Sequence, residues 1–201
     1  MKKFIFFLAV IVLVLAVSCS SNPKVTRVDS KTQTDLSGYW NDTDVRIVCE
    51  SLINDCLNDP KVAQEIQKSH GKKPVVLVGR FINNSSEHID TGIIADTMEI
   101  TINKSGKMDF VAGGATRDAL RTERQDQQTY SSEETAAALG KEAGADFMLF
   151  GTVRTIVDKA GRKTARTYVV SAGLTNIETN TRLWMGQSEI KKIIVQPRNK
   201  L

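Results

Sequence analysis

Thr167-Tyr168-Val169-Val170-Ser171-Ala172-Gly173-Leu174-Thr175 is the stretch that decides the fold. Tyr168, Val170, Ala172 and Leu174 alternate with smaller or polar neighbours, and this period of two marks a strand with one face on a core. Strand-like runs flank it at 146–158 and 182–195, joined through Lys159-Ala160-Gly161 and Glu178-Thr179-Asn180-Thr181, which have the composition of hairpin connections. The last third of the chain therefore reads as an antiparallel three-stranded meander.

Upstream, the period changes. Val45, Val48, Cys49, Leu52, Ile53, Cys56 and Leu57 recur at helical spacing, predicting an amphipathic helix over 44–58 that Asp59-Pro60 interrupts before a shorter helix. The apolar run 75–81 predicts a buried central strand. Ile93, Ile94, Thr97, Met98 and Ile102 mark a second long helix ending at Ser105-Gly106, and 108–111 a short strand. A polar, helix-compatible segment runs from Thr116 to about Gln127. Ser131 and Glu134 form a capping box ahead of a helix reaching Ala143. The fold class is α+β: a mixed or antiparallel sheet with helices packed on its faces.

The N-terminus is of another kind. Met1-Lys2-Lys3 precedes fourteen consecutive apolar residues, 4–17. As a helix they reach about 21 Å, short of the roughly 30 Å of a bilayer core, so they read as a secretory leader and not a span. Ala16-Val17-Ser18-Cys19 resembles a bacterial lipobox, which implies acylation at Cys19, and no Asp follows to hold the protein at the inner membrane. Residues 1–18 are the expected signal peptide, and 19–36 the acylated Cys with a polar tether. Residues 37–196 form one domain, with a short tail at 197–201. The seventeen tether residues 20–36 extend to at most about 60 Å and average about 20–25 Å as a coil.

Charge excludes a polyanion binder. Of 27 basic residues, Lys2 and Lys3 belong to the leader, and the remaining 25 face 23 acidic ones. No nucleic acid is expected as a partner. Cys49 and Cys56 are seven apart on one helix face, about 10.5 Å along the axis, beyond the roughly 7 Å limit of a disulfide. They read as buried small hydrophobes. His70 and His88 lie in separate loop-like segments, and no metal-ligand spacing, phosphate loop or nucleophile elbow occurs. The expectation is a protein without metal, cofactor or catalysis of its own.

At the tether's end stands Ser37-Gly38-Tyr39-Trp40-Asn41-Asp42-Thr43-Asp44. Gly38 and Asn41-Asp42 supply turn chemistry, and an oxygen of Asp42 or Thr43 is placed to cap the helix that follows. Gly38 with Trp40, Asn41, Asp42, Thr43 and Asp44 resembles the G-x-W-N-D-T-D signature of the LpoB family, outer-membrane lipoprotein activators of penicillin-binding proteins. Gly144-Ala145-Asp146-Phe147-Met148-Leu149-Phe150-Gly151 is similar to a strand start of that family. Residues 174–184 resemble its closing hairpin, with Asn176 in place of Asp and Asn180 in place of the turn Gly; Asn tolerates a left-handed backbone. The Gly-Ala-Asp strand and the hairpin also occur in secretion lipoproteins of the CsgG type and in TolB amino-terminal-like domains, which leaves a non-enzymatic assembly subunit as the alternative.

The resemblance implies a monomeric protein on the periplasmic face of the outer membrane, lipid-anchored there, that docks on a class A penicillin-binding protein. Arg117, Arg121 and Arg124 fall at i, i+4 and i+7 on one helix face, suited to partner carboxylates, with Tyr130 as a neighbouring aromatic anchor.

Overall fold

The computed structural model describes residues 25–69, 72–111, 113, 116–120, 122–123 and 144–197. The chain divides into two compact units, 1–32 and 33–201. In the first, a turn at Asp29 is closed by the Thr32 N–H on its carbonyl (3.0 Å) and the Lys31 N–H on its carboxylate (2.7 Å).

The second unit holds the elements α1 (Asp42–Asn58), α2 (Pro60–Lys68), β1 (Val75–Asn83), α3 (Thr91–Ser105), β2 (Asp109–Phe110), β3 (Phe147–Ala160), β4 (Lys163–Asn176) and β5 (Arg182–Val195). They build one sheet in the order β2-β1-β3-β4-β5. β2, β1 and β3 run parallel, while β3, β4 and β5 form the expected antiparallel meander. The α+β reading holds, with a mixed sheet.

The helix break is local chemistry. Pro60 cannot continue α1, and Asp59 turns extended there. The Asp59 carboxylate then accepts the Lys61 and Val62 N–H groups at 2.8 and 3.3 Å, so the residue that ends one helix starts the next. At the far end of the meander Asn180 takes φ +58°, the left-handed conformation that its Gly-replacing position requires.

The apolar stripe of α1 and that of α3 (Ile94, Met98, Ile102) share one core with Val76, Phe81, Leu149, Val153, Tyr168, Val170, Leu174 and Trp184. Registered rows Leu149–Leu174–Trp184 and Val153–Val170–Ser188 place this core on one face of the meander. β1 carries an irregularity between Val78 and Phe81 that swings the Phe81 ring over Gly151, where a Cβ would collide with that ring and with the Ser171 carbonyl.

Cys49 and Cys56 are buried and unbridged. Burial, with a lesser contribution from nearby carboxylates, pushes both thiols from 9.0 up to about 12. In the unfolded chain they ionise near 9, so above that pH the unfolded state binds fewer protons than the folded one. Stability is complete below pH 9 and falls on raising the pH toward 12, by about 1.4 kcal/mol per unit for each thiol. Urea unfolding at pH 8, 9.5 and 10.5 is expected to show this slope, and Cys49→Ala with Cys56→Ala to flatten it. A wild-type midpoint unchanged between pH 9.5 and 10.5 would refute the assignment.

Candidate functional site

The signature stretch is latched onto the sheet. Asn41, not Asp42 or Thr43, is the cap of α1: its side-chain oxygen accepts the Asp44 N–H (3.1 Å), and the Asp44 carboxylate accepts the Asn41 N–H (3.0 Å). This reciprocal box turns Asp44 back toward the chain start and inward, which leaves Asp42 and Thr43 inside the first helical turn. Among the described residues, Thr43 and Asp44 are the buried polar ones.

Lys192 of β5 meets this box. Its ammonium lies 2.6 Å from Asp44 and 2.9 Å from Asp35, and donates to the Tyr39 carbonyl at 2.9 Å. Burial works against the Lys192 charge, but the bonds from Asp44 and Asp35 outweigh it and hold the ammonium above its ordinary value. The same ammonium, with Asn41 behind it, holds the Asp35 carboxyl below its usual range.

A second cluster adjoins it, with Arg166 in the same sheet row as Lys192 and Tyr168 in the next row of that face. The loop after β1 is wound on Asn83, whose amide donates to the Glu87 carbonyl (2.8 Å) and whose oxygen receives Ser85 Oγ (2.6 Å). That winding aims the Glu87 carboxylate at β4. Tyr168 donates to it at 2.8 Å, Trp40 N–H at 3.4 Å, and Arg166 Nε stands 3.2 Å away, close enough for an ion pair but out of line for a hydrogen bond. Arg166 also donates to the Gly38 carbonyl (3.1 Å), and its guanidinium sits 4.3 Å over the Tyr39 ring. Trp40 meets Tyr168 edge to face at 5.2 Å. Burial first, then Glu87, raises the Tyr168 hydroxyl well above its ordinary value, so it stays a donor at any physiological pH. Gly38 lies so close to Ile194 that a Cβ there would overlap that side chain.

These residues form a strap. Among the described residues no group of three or more His, Cys, Asp and Glu is placed to hold a metal. His88 is exposed. The spacing within 37–44 identified half the latch. Of its other half, Glu87, Arg166 and Lys192 escaped sequence reading because a loop carboxylate and basic residues on strand positions look like solvated ones, while Tyr168 reads from the sequence only as a core residue.

Of the residues expected from the sequence to dock, Arg117 is half-buried in the helical stretch 116–120, its N–H donating to the Gly113 carbonyl at 3.4 Å. Arg121, Arg124 and Tyr130, like Cys19 and the capping box at Ser131, lie outside the described residues. A further exposed cluster sits on the other face of the meander. There the Arg182 guanidinium is 5.6 Å from the Phe150 ring and 3.3 Å from Met185 Sδ, beside a cleft lined by Met148, Thr175 and Ile177.

The family model described as peptidoglycan-synthase activator LpoB matches residues 44–190. The chain belongs to the LpoB family. Among solved structures, the LpoB C-terminal domain from Escherichia coli is similar at 15% identity and a TM-score of 0.47, covering 74% of this chain and 99% of that one. The same domain from Salmonella enterica gives 14% and 0.45 over the same shares. Lipoprotein GNA1162 from Neisseria meningitidis gives 17% and 0.37, over 60% of this chain and 83% of its own. No curated protein sequence matches. The match takes in the stretches 144–151 and 174–184 that resemble the family, includes only Asp44 of 37–44, and ends at Ile190, short of the latch's last member, Lys192.

Proposed function

We propose that this protein binds a class A penicillin-binding protein and activates it, as a monomer acylated at Cys19 and held on the periplasmic face of the outer membrane. The family match over 44–190 carries this reading. Such an activator stimulates only by binding the active conformation of its synthase more tightly than the inactive one. No helix among the described residues is long and apolar enough to cross a membrane. The proposed anchor is the acyl group at Cys19.

The docking face proposed is the stripe Arg117, Arg121 and Arg124 with Tyr130, whose guanidinium groups suit bidentate contact with carboxylates. The test is glycan polymerisation by a class A synthase of the same organism, with and without the chain from Ser20. The apolar core runs from Val45 to Trp184, so this chain keeps all of it. A differential affinity of about 1–3 kcal/mol predicts roughly five- to hundredfold stimulation at saturation. Arg117→Glu with Arg121→Glu and Arg124→Glu is expected to abolish it. Stimulation that survives those changes would remove the stripe from the interface and direct attention to Arg182, Phe150 and Met185. No binding and no stimulation would overturn the activator reading, and a stable ring in sedimentation would favour an assembly subunit.

A further inference from the structure

β3, β4 and β5 run on past the core as a three-stranded tip. Side chains registered across antiparallel strands share a face, so the rows can be read directly. Val157–Arg166–Lys192 is on the face that carries the strap. Ile156–Thr167–Lys191, Asp158–Ala165–Ile193 and Ala160–Lys163–Val195 are on the opposite face.

That opposite face is apolar and open. Ile156, Ile193 and Val195 are 62%, 61% and 60% exposed, and Ala165 joins the first two across β4. Exposed Lys163 and Lys191 stand in these rows and exposed Arg162 in the turn beside them, against a single carboxylate, Asp158, in the same rows. The tip is closed by the Gln196 N–H on the Arg162 carbonyl at 2.9 Å. No aromatic side chain lies in the three rows, whereas protein hot spots are rich in Trp and Tyr. Short aliphatics among cations match the acyl boundary and phosphates of a bilayer surface.

The chain itself delivers this face to such a surface. The strap brings Asp35 to Lys192, the neighbour of both Lys191 and Ile193, so the tether joins the domain at the tip. A polar tether of the expected length averages about 20–25 Å as a coil, and over that distance weak contacts become intramolecular and suffice.

We infer that the open face of the β3–β4–β5 tip rests on an anionic phospholipid surface. It is a second membrane contact beside the acyl group, and its tethering distance rests on the proposed acylation of Cys19. The domain is thereby oriented, with the end bearing Arg182 and Phe150 turned outward.

The test is co-sedimentation of the unacylated chain from Ser20 with phosphatidylglycerol vesicles and with phosphatidylcholine vesicles. Binding is expected to the former alone, weakening in high salt as screening shortens. Each cation near an anionic surface is worth about fivefold in partitioning, so Arg162→Glu with Lys163→Glu and Lys191→Glu loses at least about a hundredfold. Ile156→Ser with Ile193→Ser loses about tenfold. All five residues are exposed, so the core stays as it is. No sedimentation with anionic vesicles, or sedimentation that the triple variant retains, would overturn the inference. It would also fall if the triple variant spares vesicle binding yet removes synthase stimulation without lipid, since the tip would then belong to a protein interface. The vesicle assay contains no synthase and no acyl chain, so its outcome and that of the activation assay fail independently.

Discussion

Glu87→Ala is expected to lower the unfolding free energy by about 3–5 kcal/mol, the range for removing one partner of a buried charge pair. The side chains of Glu87 and Arg166 are 11% and 13% exposed, so neither is solvated enough to replace the other with water. Without the carboxylate, the Tyr168 hydroxyl keeps only the Gly38 carbonyl, at 3.3 Å. Arg166 keeps that same carbonyl and the Tyr39 ring. For a domain of this size the loss corresponds to a melting point lower by roughly 10 °C. Arg166→Met added to Glu87→Ala is expected to recover part of it, because the orphaned cation goes as well. Urea titration of the four members of this cycle measures the coupling. A single-variant loss under about 1 kcal/mol, or a double variant with no recovery, would show that the pair is solvated and the strap is held elsewhere.

Trp184→Ala is the other large effect, at about 3–5 kcal/mol from lost apolar contact and the cavity left behind. Trp184 is buried in the row with Leu149 and Leu174, and its ring lies folded over Gly186, where a Cβ would overlap it. Its indole N–H donates to the Asp55 carboxylate of α1 at 2.9 Å and so ties the sheet's edge strand to the first helix. Asp55 itself is exposed and is hydrated when the indole is removed, so the loss is one of packing. Asp55→Ala should therefore cost only about 1 kcal/mol, the worth of one hydrogen bond. Comparable losses in the two variants would reverse that apportionment.

The elements were legible wherever periodicity and punctuation coincided. Asp59-Pro60 marked the helix break to the residue, and the alternation through Tyr168 and Leu174 identified the middle strand of the meander. The order of strands was not legible, since nothing in the run of Val75 to Phe81 says that it pairs parallel with Phe147 to Val153 across more than sixty intervening positions. The cap was misplaced by one or two residues, because Asn41, Asp42 and Thr43 all have capping side chains and only the backbone decides among them. Lys192 was invisible for a different reason. Its partners Asp35 and Asp44 lie at the other end of the chain, and a lysine within a strand carries no local sign of burial.

That separation has a consequence in time. A chain emerges from its N-terminus, so Trp40, Asn41 and Asp44 are made long before Arg166 and Tyr168, and longer still before Lys192. α1 and its capping box can form early, from local contacts alone. Asp44 and Asp35 then wait, hydrated, until the last strand arrives with their cation. The entrance to the domain is thus closed by nearly its final residues, and a chain that stops before β5 is left with its first segment unlatched.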